Sequence, residues 1–262
     1  MKKIMCIFLA LLVMFGCTAC GDASATPTEL QEKNVTIYIP DTMVMSDPNS
    51  DESIVARYVF EEGWQDKDSF TLNVEMEKNT DAALTVSSAI YSEECIVSES
   101  DGTTRVETYY DENGRAVRQK IIYLQETAPY ASIETAMTYD EFGRPLKEET
   151  VCYEHGKTEP SQTETKQYTY TETETGSEAR DDNNGMVYMY TFDRNYHQVS
   201  TSILLDGAEM SRMEYGYDEA GNRISMITYY MGEIMAETQY TWKTAEVSEE
   251  FAARMPQFNR AN

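Results

Sequence analysis

The chain offers few residues with catalytic character. Its two histidines, His155 and His197, stand in no motif with a serine or cysteine nucleophile. No G-x-S-x-G, H-E-x-x-H, phosphate-loop or dinucleotide pattern occurs. With 46 Asp and Glu residues, two carboxylates at glycosidase spacing arise by chance, so acid abundance carries no weight. Asp181-Asp182-Asn183-Asn184-Gly185 invites comparison with a calcium loop, which needs Gly at the sixth place and an acid at the twelfth. Counted from Asp181, Gly is fifth and the twelfth residue is Phe192, so an Asn-Gly hairpin turn leading into residues 186–192 is expected instead. Beyond the N-terminal pair Cys17 and Cys20, no CxxC or Cys/His cluster suggests a metal. Neither catalytic activity nor a cofactor is expected.

Aromatic side chains are the remaining chemistry. The chain has 19 tyrosines against 8 phenylalanines, a balance that suits half-exposed strands because Tyr keeps one end in water. Tyr188, Tyr190, Tyr215 and Tyr229 are candidates for a row of rings that stacks on sugars or grips a partner chain. Cross-strand packing within a sheet explains the same residues and is the stronger expectation.

The elements that would carry those rings follow from a repeat: an aromatic, then Asp, then two or three loop residues, and usually Gly with Arg or Asn. The copies are Tyr110-Asp111-Glu112-Asn113-Gly114-Arg115, Tyr139-Asp140-Glu141-Phe142-Gly143-Arg144, Phe192-Asp193-Arg194-Asn195-Tyr196-His197 and Tyr217-Asp218-Glu219-Ala220-Gly221-Asn222. In Asp-x-x-Gly the carboxylate accepts a backbone N–H two residues on, and Gly takes the left-handed conformation that closes a bulged hairpin. Residues flanking each copy alternate with period two, as in Tyr188, Tyr190 and Phe192, so each copy reads as a β-hairpin. In the third copy Tyr196 stands where Gly is expected, and Asn195 is assigned the left-handed role. Degenerate copies are read at Tyr168-Thr169-Tyr170-Thr171-Glu172 and Gln239-Tyr240-Thr241-Trp242.

These motifs resemble the YD repeats of the Rhs and teneurin-like families, over Thr104 to about Lys243. The resemblance implies tandem hairpins joined in one long twisted antiparallel sheet, which in large members spirals into a hollow shell. The repeat aspartates here are 29, 53 and 25 residues apart, and eight to ten strands are expected from the repeats. That is too few for a shell, so the expected fold is all-β: an extended, twisted, open or half-wrapped sheet with a short C-terminal helix.

The N-terminus carries an address. Lys2 and Lys3 precede an apolar run from Ile4 to Phe15 and a small-residue segment, the form of a secretory signal peptide. Cys20, behind Thr18-Ala19 and before Gly21, resembles a bacterial lipobox, which implies cleavage before Cys20 and a diacylglyceryl anchor on its sulfur. Cys17 is the alternative register, and cleavage after Ala23-Ser24-Ala25 would leave no anchor. The expected organisation is a signal peptide at 1–19, a polar tether at 20–33, an N-terminal β section at 34–100, the repeat sheet at 101–245, and a short helix and tail at 246–262. Within the β section a first strand is expected to stop at Pro40, with Thr42 to Ser53 a loop; the first part of the Thr/Glu-rich segment from Thr158 to Asp182 is expected to be an excursion between copies. At the end, Ser248 caps a helix in which Phe251 and Met255 lie one turn apart, and Pro256 stops it.

A formal charge of −25 argues against nucleic acid and against adsorption on anionic lipid. Cys95 and Cys152 either pair, as exported cysteines do, or stay as lone buried thiols, and spacing leaves both open. The reading is a non-catalytic lipoprotein on the extracytoplasmic face of a membrane, held there by its lipid, that binds or scaffolds an envelope protein or glycan. An inhibitor or immunity-type lipoprotein acting on a secreted basic protein is the alternative, and an envelope hydrolase the weaker one.

Overall fold

The computed structural model describes residues 34–79, 81–100, 102–183 and 185–258. The expected signal peptide and tether, with Cys17 and Cys20, lie outside the described residues, as does Asn184 of the expected Asn-Gly turn. The described chain forms one antiparallel sheet and a single short α-helix. Its strands are β1 (Asn34–Ser46), β2 (Ser53–Phe60), β3 (Ser69–Lys78), β4 (Asp81–Ser92), β5 (Cys95–Ser100), β6 (Thr104–Tyr110), β7 (Ala116–Tyr123), β8 (Ser132–Tyr139), β9 (Pro145–Tyr153), β10 (Gln162–Gln167), β11 (Tyr170–Glu172), β12 (Gly176–Asn183), β13 (Met186–Asp193), β14 (Gln198–Leu205), β15 (Ala208–Tyr217), β16 (Arg223–Tyr230) and β17 (Glu233–Ser248).

Consecutive strands pair except β10 with β11, and β1 also pairs with β17 over almost its whole length, from Asn34 opposite Ser248 to Ser46 opposite Glu237. The N-terminal section therefore continues the repeat sheet: β5 pairs with β6, and β1 joins the last strand to the second. The repeat region holds twelve described strands, β6 to β17, more than the eight to ten expected. The excess lies in the Thr/Glu-rich segment, where β10 pairs with β9 and β11 with β12, so these polar residues are strands and not an excursion. Their ladder partners satisfy the backbone while their polar side chains stay in water.

β1 also runs past Pro40 to Ser46. The register shifts between Pro40 and Thr42, so Pro40 sits at a bulge, where its missing N–H costs no ladder bond.

The four Asp turns share one geometry. In each, Asp N–H donates to the carbonyl four residues on, at 2.9 Å in all four copies. Its Oδ1 accepts the N–H groups two and four residues later: Asn113 and Arg115, Phe142 and Arg144, Asn195 and His197, Ala220 and Asn222. Oδ2 takes the side chain of that fourth residue at 2.7 to 3.0 Å for Arg115, Arg144 and Asn222, and His197 Nδ1 lies 3.4 Å from it. Gly114, Gly143 and Gly221 have φ of 71°, 79° and 78°, and a bulge precedes every turn. In the third copy Tyr196 itself takes the left-handed place, at φ 63°, and not Asn195. The hydrogen bonds to Asp193 hold this loop in the geometry of the other three, and the third residue after Asp is left-handed although it is Tyr.

A second pattern ties successive units. The aromatic of the following unit donates to the carbonyl five residues after each turn Asp: Tyr139 to Ala116 at 2.6 Å, Tyr170 to Pro145 at 2.7 Å, Tyr217 to Gln198 at 2.9 Å and Trp242 Nε1 to Arg223 at 2.8 Å. Tyr170 and Trp242 belong to the two degenerate copies, which thus keep the aromatic while losing the Asp.

The ladder is open at one place. It runs from β10 through β9 down to β1, across to β17, and back through β16 to β11. β10 and β11 are pieces of one stretch broken at Tyr168-Thr169, and among the described residues no ladder joins β10 to β12. Side chains hold the two ends of the sheet together at this seam. The Arg144 guanidinium, 6% exposed, donates to Asp140 at 2.8 Å, Glu172 at 2.9 Å and Ser177 at 2.8 Å and lies 4.2 Å from the Tyr170 ring centre. Phe142 of the second turn stacks on Tyr196 of the third at 4.3 Å.

The best-packed core lies at the sheet end where β1 begins. Helix α1 (Glu249–Arg254) is N-capped by Ser248, whose Oγ accepts the Phe251 N–H at 3.1 Å. It buries Phe251 and Met255 completely against Ile37, Ile39, Trp64, Phe70 and Val247. Trp64 lies 5.4 Å from both Phe251 and Phe70. The short 3-10 turn Pro256–Phe258 continues this cap and touches the first Asp turn, where a Cβ on Gly114 would stand 2.3 Å from the Pro256 carbonyl oxygen.

Candidate binding site

A cavity of about 110 Å³ lies on the inner face between the N-terminal strands, β17 and the C-terminal cap. Tyr58 from β2, Tyr91 from β4, Tyr110 from the end of β6, and Tyr240 and Trp242 from β17 line it, with Phe258 from the cap. The ladder explains why these rings meet. Met43 pairs with both Ala56 and Tyr240, Tyr58 lies two residues on from Ala56, and Tyr91 pairs with Phe70, so period two points all of them inward. The Tyr91 and Phe258 rings stack at 5.3 Å, which seats the cap against one wall. Trp242 is fixed by its bond to the Arg223 carbonyl and offers the cavity only its ring.

Tyr58 is 7% exposed, and burial, with the nearby phenols of Tyr91 and Tyr240, pushes its hydroxyl well above the usual tyrosine range. Tyr240 is pushed up by burial too. These phenols stay neutral at any physiological pH. The lining carries one carboxylate, Glu99, and no Lys, Arg or His among the described residues. An anionic group entering would meet no counter-charge and would lose its hydration. Neutral ligands with a flat or apolar face suit this wall, with Ser87, Ser98 and Thr241 as hydroxyl partners.

The four tyrosines singled out from the sequence do not form one row. Tyr188 and Tyr190 face inward and meet Lys166 and Tyr168 at the seam. Tyr215 is on the same face, paired with Met226, and the Arg223 guanidinium lies 4.3 Å from its ring centre. Tyr229 pairs with Arg212 and points to the opposite face, where that guanidinium covers it at 4.4 Å and its hydroxyl donates to Glu214. The cavity rings Tyr58, Tyr91, Tyr110, Tyr240 and Trp242 were not singled out as a site. They come from sequence positions up to 184 residues apart, and only the pairing of β1 with β17 brings them together.

Cys95 and Cys152 are free thiols. They sit on β5 and β9, with three strands between, so the strand spacing puts them roughly 19 Å apart, far beyond disulfide reach. His155 is exposed in the loop after β9. His197 is half-buried and stacks on Tyr217 at 4.7 Å, doing in the third turn what arginine does in the first two. Among the described residues no group of His, Cys, Asp and Glu is placed to hold a metal ion, and no helix is long and apolar enough to cross a membrane.

No family model matches the chain, and no curated protein matches it. Among solved structures it is similar to a porin-like protein from Bacteroides uniformis, at 10% identity and TM-score 0.44, over 78% of this chain and 96% of that one. It is also similar to a putative outer membrane lipoprotein-sorting protein domain from Vibrio parahaemolyticus, at 10% identity and TM-score 0.30, over 85% and 91%. A β-barrel-like protein of a domain of unknown function from Brucella abortus matches at 11% identity and TM-score 0.29, over 80% and 96%. Likenesses this distant carry no argument about what the chain does.

Proposed function

We propose that the protein is a non-catalytic binding module of the cell envelope, lipid-anchored through Cys20 and built from YD-like hairpins, which holds a neutral ring-bearing ligand in its aromatic cavity. The ligand is a glycan or an aromatic side chain of an envelope protein. The observation that carries this reading is the cavity itself: seven aromatic residues, from five strands and the C-terminal cap, line a space without a cation among the described residues. The signal peptide and the Cys20 lipobox resemblance supply the address.

The two tryptophans make the reading testable, because Trp242 lines the cavity and Trp64 lies in the cap core. In a Trp64→Phe variant, ligands found on a glycan array or an envelope-protein pull-down should quench or shift Trp242 emission saturably, and Tyr58→Ala should abolish the change. Ligands that bind equally well to Tyr58→Ala without touching Trp242 emission would remove the cavity from the account. Labelling cells with a palmitate analogue should mark the wild type and Cys17→Ala but not Cys20→Ala. The charge of −25 supports a second reading, neutralisation of a secreted basic protein. There the partner should be lost at high salt, which a cavity ligand resists.

A further inference from the structure

The seam holds a second constellation, remote from the cavity and not needed by it. Where β10 and β12 part, three tyrosines converge, two from β13 and one from the residues between β10 and β11. Tyr168 meets Tyr190 edge-on at 5.5 Å, and Tyr188 lies two residues before Tyr190 on the same face. Two carboxylates join them. The Tyr168 hydroxyl donates to Glu148 Oε2 at 3.2 Å, and Asp181, opposite Tyr188 in the ladder, has an Oδ2 that is shut off from solvent without a hydrogen-bond partner. Burial and the Glu148 charge push the Tyr168 hydroxyl far up, and burial, with Asp181 further off, pushes Tyr190 up to about 12. Both phenols are therefore neutral, and their ring faces are electron-rich walls.

One cation occupies this space. Lys166 Nζ stands 5.7 Å from the Tyr188 ring centre and 3.7 Å from Glu148 Oε1, beyond hydrogen-bond distance of either partner. The ammonium is loosely held, and one positive charge faces two negative ones. Access follows from the break in the ladder. If the register of β11 with β12 ran on, Tyr168 would face Asp181 and Lys166 would face Asn183, but no ladder forms there. The side chains of Lys166 and Glu148 are each 25% exposed.

We propose that this gap is a binding site for a protonated alkylamine, which enters the cage of Tyr168, Tyr188 and Tyr190, takes the place of the Lys166 ammonium and is neutralised by Glu148 and Asp181. The amine arrives either as a free small molecule or as a lysine side chain of an extended peptide. Both present the same head group, and an aromatic cage beside carboxylates recognises that group.

Isothermal titration of the purified folded domain with n-butylammonium and with a short lysine-containing peptide tests it, with n-butanol as the uncharged control. Saturable binding of an ammonium probe to the wild type is expected, with no binding of n-butanol. Lys166→Ala should bind at least tenfold more tightly, and Tyr188→Leu and Asp181→Asn at least tenfold more weakly. The peptide binding more tightly than the free amine would assign a protein source, and the reverse a small-molecule one. Absence of saturable binding to the wild type would overturn the proposal, and so would binding indifferent to both Tyr188→Leu and Asp181→Asn. Binding by Lys166→Ala alone would mean that the cage serves only the chain's own lysine, and would overturn it too. Circular dichroism of each variant guards against loss of fold, and the wild-type titration stands without any variant.

Discussion

Replacing Arg144 by Met should open the seam. The side chain is 7% exposed and donates three hydrogen bonds, two of them to carboxylates, while covering Tyr170. The losses are unequal. Glu172 is 67% exposed on its side chain and returns to water at little cost. Asp140 keeps its two backbone N–H donors, so it loses only part of its support. Ser177 is fully buried and loses the Arg144 donor, at about 1–3 kcal/mol. With the buried ion pair to Asp140 broken as well, the total should fall at about 3–4 kcal/mol, within the range for splitting a buried pair. Arg115 is the internal control. It makes the same contacts to Asp111, at 2.7 Å, but its side chain is 19% exposed and it lies over the Tyr139 ring of β8 at 5.1 Å without bridging the seam, so Arg115→Met should cost about 1–2 kcal/mol. Urea unfolding of both variants at pH 7 measures the difference. Hydrogen exchange should quicken first at the amides of β10 to β12 in Arg144→Met and stay unchanged there in Arg115→Met. Equal losses, or protection lost evenly over the whole sheet, would refute the idea that Arg144 joins the two ends.

Three further outcomes follow from the same geometry. Tyr170→Phe removes the hydroxyl that reaches the Pro145 carbonyl and should cost about 1 kcal/mol in urea unfolding, as should Tyr139→Phe at Ala116; no loss in either would remove the aromatic-to-carbonyl bonds as ties between units. Gly114→Ala forces a Cβ to 2.3 Å from the Pro256 carbonyl oxygen at a φ of 71°, so it should destabilise by at least about 2 kcal/mol and lower the protection of α1, whereas a neutral result would place the cap elsewhere. Above pH 10 the fold should weaken steeply. Burial, reinforced by Asp111, holds Tyr139 up to about 12, and Tyr190 is likewise near 12, so between pH 10 and 12 the unfolded chain releases protons that the folded chain keeps. Stability is then full below pH 10 and falls by up to about 1.4 kcal/mol per pH unit for each such tyrosine, and absorbance at 295 nm should rise together with the loss of circular dichroism. Tyr139 and Tyr190 titrating near pH 10 in an intact fold would contradict this.

What could be read from the sequence was local. The Asp turns are self-contained: a carboxylate, the N–H groups two and four residues on, and a left-handed third residue all lie within six positions. The C-terminal cap is equally local, because Ser248, the acidic first turn and the Phe251 and Met255 spacing define it without help from the sheet. The early end given to the first strand has one cause, a bulge. A single extra residue at Pro40–Thr42 lets a strand pass a proline that would otherwise end it. Tyr215 pairs with Met226 and Tyr229 with Arg212 in one unshifted stretch of ladder, so Tyr229, three residues from Met226, points out while Tyr215 points in, although both read as members of one row. Sites fared worse than elements for a related reason. Arg144 finds Glu172 and Ser177 at separations of 28 and 33 residues, and Tyr58 finds Tyr240 across the closure of β1 on β17. The repeat sets hairpin geometry and says little about which hairpins meet, since that depends on the summed twist of many strands. The charged turn residues are thus explained where they stand. The chemistry left for a ligand lies on the inner face, where tyrosines that looked alike in sequence are divided by register into a neutral cavity and a cage for a cation.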